Sequence, residues 1–230
     1  MLKCFCRPRA RRLFVSLVCF GLLGLGGGSG PSMEAQVTRL AQIGERVDLG
    51  VTAVAEITPS VSGTNYLGTG LTANPSNTVG VVGTLRYTRS ALLGAELNFG
   101  YARYTENFTI GANPNKQPSV GGVQQNALEY TVGYVAHGPR LLGVRPFGSA
   151  GGGGINFHPT GGGGQGLPSN GRGAFYYAIG ADSPVFTDHI GIRAQLREVF
   201  FKAPDYGQNY LTINKRTSTF EPGIGVYLRF

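Results

Sequence analysis

Residues 220–230 read Phe-Glu-Pro-Gly-Ile-Gly-Val-Tyr-Leu-Arg-Phe, with an apolar side chain at every second position. Successive side chains of a strand point to opposite faces, so Phe220, Pro222, Ile224, Val226, Leu228 and Phe230 share one face. Glu221, Gly223, Gly225, Tyr227 and Arg229 share the other. A soluble sandwich strand can show the same alternation, but it rarely stops on an apolar aromatic with no polar tail. The ending therefore predicts a strand with one face in an apolar medium and one face against charged or small groups.

Composition supports β structure throughout. The 230 residues include 38 glycines and 13 prolines, only 14% are charged, and the aromatics are 13 Phe and 11 Tyr with no Trp. Glycine is ordinarily about 7% of a chain, so this one carries about twice the usual share, which argues against a helical protein.

The N-terminus has the layout of an export signal. Lys3, Arg7, Arg9, Arg11 and Arg12 form a basic segment, followed by an uncharged, mostly apolar run from Leu13 to Leu25. That run is shorter than the roughly 20 residues of a spanning helix and suits the apolar region of a signal peptide. A signal over 1–35 is expected, with cleavage after Ala35, a short periplasmic segment over 36–45, and the folded domain over 46–230. Met33 is a poor small residue three positions before the cut, which leaves room for the site to shift. The competing reading of this stretch is a short buried helix or a retained anchor. Removing 1–35 leaves 15 basic and 11 acidic residues, a net charge of +4 in place of +8. The high pI thus belongs largely to the signal, and a nucleic-acid partner has little support. Cys4, Cys6 and Cys19 all fall in the same segment, so the exported chain has no thiol for a disulfide or metal site.

After the signal, no run of about 18 apolar residues exists, which excludes spanning helices on length. A closed barrel is the other structure that satisfies every backbone group within a bilayer. Its signature is alternation over about ten residues, repeated with turns between. Strands are predicted at 46–57, 78–89, 92–108, 125–136, 144–157, 172–182, 189–201 and 220–230, with a Pro184-centred turn after the sixth. The connections run long, short, long, short, long, short, long. This matches longer extracellular loops and short periplasmic turns, with both ends of the barrel in the periplasm. The expected fold is all-β: an eight-stranded antiparallel up-and-down transmembrane β-barrel.

The stretches Arg145-Pro146-Phe147-Gly148-Ser149-Ala150-Gly151, Ala178-Ile179-Gly180-Ala181-Asp182 and Ile190 to Arg197, with the Phe230 ending, carry a resemblance over about residues 45–230. Together they resemble the small bacterial outer-membrane barrels related to the membrane domain of outer-membrane protein A and to outer-membrane protein X. The resemblance implies residence in the outer membrane of a Gram-negative cell, outer-membrane lipid and lipopolysaccharide as surroundings, and a monomer. It also implies that Ile224, Val226, Leu228 and Phe230 are read by the barrel-assembly machinery. No peptidoglycan-binding domain of the protein A type is expected after Phe230.

Asp48, Glu56, Arg86, Glu96, Glu129, Arg193, Arg197, Glu221 and Arg229 fall on the predicted inward face. Eight strands leave an interior that side chains fill, and buried charges are tolerated there when paired. Arg86, Glu96, Glu129, Arg193, Arg197, Glu221 and Arg229 are therefore expected to form a structural polar network, with a gated proton or ion path as the sharper alternative. Partners for Glu221 and Arg229 are expected among Arg193, Arg197, Glu96 and Glu129. No catalytic, cofactor or metal residue is assigned. His137, His158 and His189 read as surface histidines near strand ends, and His158 has no serine motif or carboxylate nearby in sequence to complete a triad. The glycine runs 151–154 and 161–164 lack the Lys-Ser/Thr of a phosphate loop. The first is expected to make room for bulky inward side chains. Tyr176 and Tyr177 are adjacent, so one must point inward. The expected function is a non-enzymatic integral outer-membrane protein that supports the envelope or presents its loops for contact. A lipid-modifying enzyme on the same barrel is the alternative. A soluble lipocalin-like binder is disfavoured because an apolar ligand needs apolar walls.

Overall fold

The computed structural model describes residues 47–90, 92–110, 119–187 and 189–230. The expected signal peptide, the 36–45 segment and all three cysteines lie outside them. Ten strands are present among the described residues: β1 Val47–Glu56, β2 Val61–Thr64, β3 Gly70–Pro75, β4 Thr78–Thr88, β5 Leu93–Ile110, β6 Ser119–His137, β7 Arg145–Pro159, β8 Asn170–Thr187, β9 Ile190–Lys202 and β10 Arg216–Arg229.

Eight of them close a barrel in the order β1-β4-β5-β6-β7-β8-β9-β10, and β10 returns to β1. Every pairing is antiparallel. The closing pair sets Asp48 opposite Arg229 and Val54 opposite Gly223, and the Phe230 amide donates to the Val47 carbonyl at 3.0 Å. Each barrel strand is thus paired on both sides, which removes the free edges that no bilayer could satisfy.

Alternation dictates which medium each residue meets. On β1, Asp48, Thr52 and Val54 are buried while Leu49 and Val51 are about half exposed. On β10, Ile224, Val226 and Leu228 point out and Glu221 and Tyr227 are buried. Along these two strands the outside is therefore apolar and the inside largely polar, the inverse of a soluble barrel and the arrangement a bilayer requires. On β5 the outward apolar series runs from Leu93 to Tyr101 and ends at Arg103. That nine-residue span matches the roughly 9–11 residues a tilted strand needs to cross a membrane.

Four features differ from the sequence reading. The expected loop between the first two barrel strands holds the β2–β3 hairpin, and β3 takes over the edge of β5 above β4, from Pro75 opposite Glu106 to Leu71 opposite Ile110. Pro75 lacks the N–H needed to continue the ladder, and Ser76 bridges the break through its amide and hydroxyl to Thr105. β6 begins at Ser119, six residues before its expected start, so that it runs to 19 residues beside the 18 of β5, which lies close to its expected bounds; both extend well beyond the belt. The turn expected at Pro184 is instead a register shift, and β8 reaches Thr187 opposite Ile190. β10 begins at Arg216, four residues earlier than expected, because the polar stretch 216–219 still pairs with β9.

Glycine sets how closely two strands approach. A Cβ on Gly153 would stand 1.9 Å from the Tyr130 carbonyl oxygen, and one on Gly151 would stand 2.7 Å from the Tyr176 ring. The glycine run thus lets β6 and β7 meet closely and admits the Tyr176 ring, which is fully buried while Tyr177 faces out.

Candidate functional site

The interior divides into three levels. Nearest the rim of short turns, Arg86 and Arg193 are about 1% exposed and lie against Phe147, with their guanidinium carbons 4.3 and 5.3 Å from its ring centroid. Arg193 donates a bidentate pair to Asp182 at 2.8 and 3.0 Å. Arg86 donates to Glu96 at 2.8 Å and, at 3.4 Å, to Asp182 Oδ2, the oxygen that also accepts from Arg193 Nη2. Two cations thus meet two carboxylates, and Glu96 also accepts from the Tyr176 hydroxyl at 2.8 Å. Arg229 forms a separate bidentate pair with Asp48 at 2.7 and 2.9 Å. Bidentate geometry and the pairing of each cation with a carboxylate make buried charge tolerable here, with Arg193 Nη1 left without a hydrogen-bond partner.

One level up, Arg197 bridges Glu129 and Glu221, the latter at 2.6 Å, and stacks over Tyr176 at 4.6 Å. A small cavity of about 30 Å³ adjoins it, lined by Glu56, Glu129, Glu221 and Thr219 together with Ile155, Phe157, Val199 and Phe201. That is room for about one water.

The outer level is largely apolar, although Glu106 and Gln125 are buried there as well. Leu71, Phe108, Val123, Ile155, Phe157, Val199 and Phe201 form a buried cluster into which the β9–β10 loop, residues 203–215, folds Tyr206, Leu211 and Ile213. Tyr206 is fully buried, stands edge-on to Phe108 and donates its hydroxyl to Gln125 Oε1 at 2.6 Å. Burial, with Glu106 nearby, pushes the Tyr206 phenol well above its ordinary range. Asp205 anchors this plug by accepting from Arg172 at 2.6 Å, Asn170 at 3.0 Å and the Gly207 amide at 3.1 Å. Burial pushes the Asp205 carboxyl up, but these donors outweigh it and hold the group below the ordinary carboxylate range. Tyr206 and Asn214 take positive φ of 51° and 58°, the backbone cost of turning the loop inward.

Each of the seven expected network residues lies inside the barrel, in two separate layers rather than one. Glu221 pairs with Arg197, within the expected set, whereas Arg229 pairs with Asp48, its direct cross-strand partner. Asp182 was missed as a member, although it shares the inward parity of Tyr176 and Ala178 on β8. His137 is not a surface histidine. It is 3% exposed, with Nε2 3.4 Å from Arg86 Nη1. His189 is exposed, with Nδ1 3.0 Å from the Arg229 carbonyl oxygen. His158 does meet a serine: its Nδ1 is 2.8 Å from Ser169 Oγ across the β7–β8 loop. The inward polarity that disfavoured an apolar-lined interior does not extend to the outer level, whose walls are largely apolar. Among the described residues, no group of three or more His, Cys, Asp or Glu is placed to hold a metal.

No family model and no curated protein matches the sequence. Among solved structures, the outer-membrane protein OprG of Pseudomonas aeruginosa superposes with a TM-score of 0.51 at 14% identity, over 82% of this chain and 98% of that one. The fold is that of the small outer-membrane β-barrels. Neisserial surface protein A aligns at 14% identity over 80% of this chain and 96% of its own, with a TM-score of 0.47. The N-terminal domain of Pseudomonas aeruginosa OprF aligns at 16% over 79% and 97%, with a TM-score of 0.38. At such identities the likeness is one of fold. The residues that fill this barrel must be read from its own chemistry.

Proposed function

We propose that the protein is a non-enzymatic integral outer-membrane barrel that supports the envelope and presents a rigid outer platform for surface contact. The observation that carries this reading is the locking of two outer loops into one unit. Asn65, at the tip of the β2–β3 hairpin, donates through Nδ2 to the Tyr210 carbonyl of the plug loop at 3.0 Å and accepts at Oδ1 from the Leu67 and Thr69 amides. Tyr66 and Leu67 stand beside it about 70% exposed, and Tyr210 is also exposed. Exposed aromatic and apolar side chains on a rigid frame suit contact, because little side-chain freedom is lost on binding.

The test is a deletion strain complemented with wild type or with a Tyr66→Ser/Leu67→Ser/Tyr210→Ser variant. Both should restore resistance to detergent, and wild type alone should restore adherence or cell–cell contact. Adherence restored equally by both would count against the platform.

The His158–Ser169 pair favours a second reading, an outer-leaflet lipid hydrolase with Ser169 as nucleophile and His158 as base. Among the described residues His158 has no carboxylate partner to orient its ring, which ranks this reading second. An altered acyl pattern of lipid A in the deletion strain would promote it.

A further inference from the structure

The outward faces of β9 and β10 carry a feature that barrel closure does not require. Lys202 and Arg216 are direct cross-strand partners. Even-numbered residues point outward on both strands: Leu196 and Phe200 on β9, and Phe220 and Ile224 on β10. The two cations therefore share that face, immediately above its apolar part. Like charges directly opposite in a ladder, with Cβ atoms about 4.5–5.5 Å apart, destabilise it. Among the described residues neither side chain has a salt bridge or hydrogen bond. Glu198, on the same outward face of β9 four residues below Lys202, is engaged by the Tyr177 hydroxyl instead. Below the cations the face is aromatic: Phe200 lies 6.4 Å from Phe175 and 5.8 Å from Tyr177 between ring centroids, and Phe220 sits opposite Glu198.

We propose that Lys202 and Arg216 form a binding site for the phosphates of an outer-leaflet glycolipid of the lipid A type, whose acyl chains lie on the aromatic bed of Phe175, Tyr177, Phe200 and Phe220. A dianionic headgroup removes the repulsion between the two opposed cations, and the bed below suits acyl chains. The site lies on the rim of long loops, where such a lipid would present its phosphates. The inference rests on the outer-membrane reading.

The test uses the full barrel folded into phosphatidylcholine vesicles that contain lipid A, or lipid A with its phosphates removed. Lipid retained per barrel after extraction into mild detergent is counted by mass spectrometry. Wild type and Arg140→Gln, at the opposite rim, should retain lipid A. Lys202→Gln/Arg216→Gln should retain at least about tenfold less, as expected for loss of charge-assisted contacts. Dephosphorylated lipid should be retained weakly and equally by all three. Should the double variant not insert, each single variant should lose several-fold. Equal retention of lipid A by wild type and the inserted variants, or equal retention of the two lipids by wild type, would overturn the site. Failure of wild type itself to insert would overturn the outer-membrane reading instead.

Discussion

The two halves of the lumen are closed by opposite means. Toward the rim of short turns, Arg86, Arg193 and Arg197 are held by Glu96, Asp182, Glu129 and Glu221 and by aromatic faces. Toward the outer rim the same wall carries Phe108, Ile155, Phe157 and Phe201, and a loop folds in to complete the packing. In the inner half the strands themselves supply all the filling, from residues fixed in register, so opening it means breaking the barrel. In the outer half part of the filling comes from residues 203–215, which can leave without unpairing any strand. Global stability should therefore be concentrated in the first region and local opening in the second.

The largest effect is expected from Arg197→Met, which leaves Glu129 and Glu221 buried without their cation. A loss of about 3–5 kcal/mol is expected for such an unpaired charge, read as a lower denaturant midpoint of the heat-modified gel shift. Unchanged stability would mean that the layer does not lock the barrel. Leu211→Ala in the plug removes a side chain of similar burial and should cost about 2–5 kcal/mol locally. The expected signature is faster hydrogen exchange over 203–215 with little change in the global midpoint. A matching global loss would erase the distinction between the halves. Gly153→Ala places a Cβ against the Tyr130 carbonyl and should cost about 1–3 kcal/mol through forced separation of β6 and β7, again seen in the global midpoint. The smallest effect concerns pH. Asp205 has a depressed folded-state pKa, so its stabilisation of the plug is present above the ordinary aspartate range. It is lost as pH falls through the folded value. Protection of 203–215 should drop below about pH 4, and Asp205→Asn should remove that dependence.

The architecture was legible because the membrane imposes a period of two on every strand. Val79, Val81, Leu85 and Tyr87 could be assigned to lipid, and Thr84 and Arg86 to the lumen, from spacing alone. Partner choice was less legible, since it depends on register: Arg229 meets Asp48 only because closure sets them opposite each other. The plug left little trace in sequence. Residues 202–215 show no period, and Tyr206 is buried through an inward turn at positive φ and a hydrogen bond to Gln125, both long-range consequences of the fold. The β2–β3 hairpin escaped for a related reason, because its four- and six-residue strands pair with the extension of β5 above the belt. His158 and Ser169 are eleven residues apart, and only the β7–β8 turn brings them together.

The central claim is that the lumen is shut twice, by ion-paired layers below and by an apolar plug above. Planar-bilayer recording at high salt tests it most directly, on wild type and on a variant whose residues 205–213 are replaced by a short Gly-Ser loop. Both proteins should insert without stable conductance steps, because the Arg86–Asp182–Arg193 and Glu129–Arg197–Glu221 layers remain in place. Steady open-channel steps in wild type, or steps that appear when the loop alone is removed, would contradict the account.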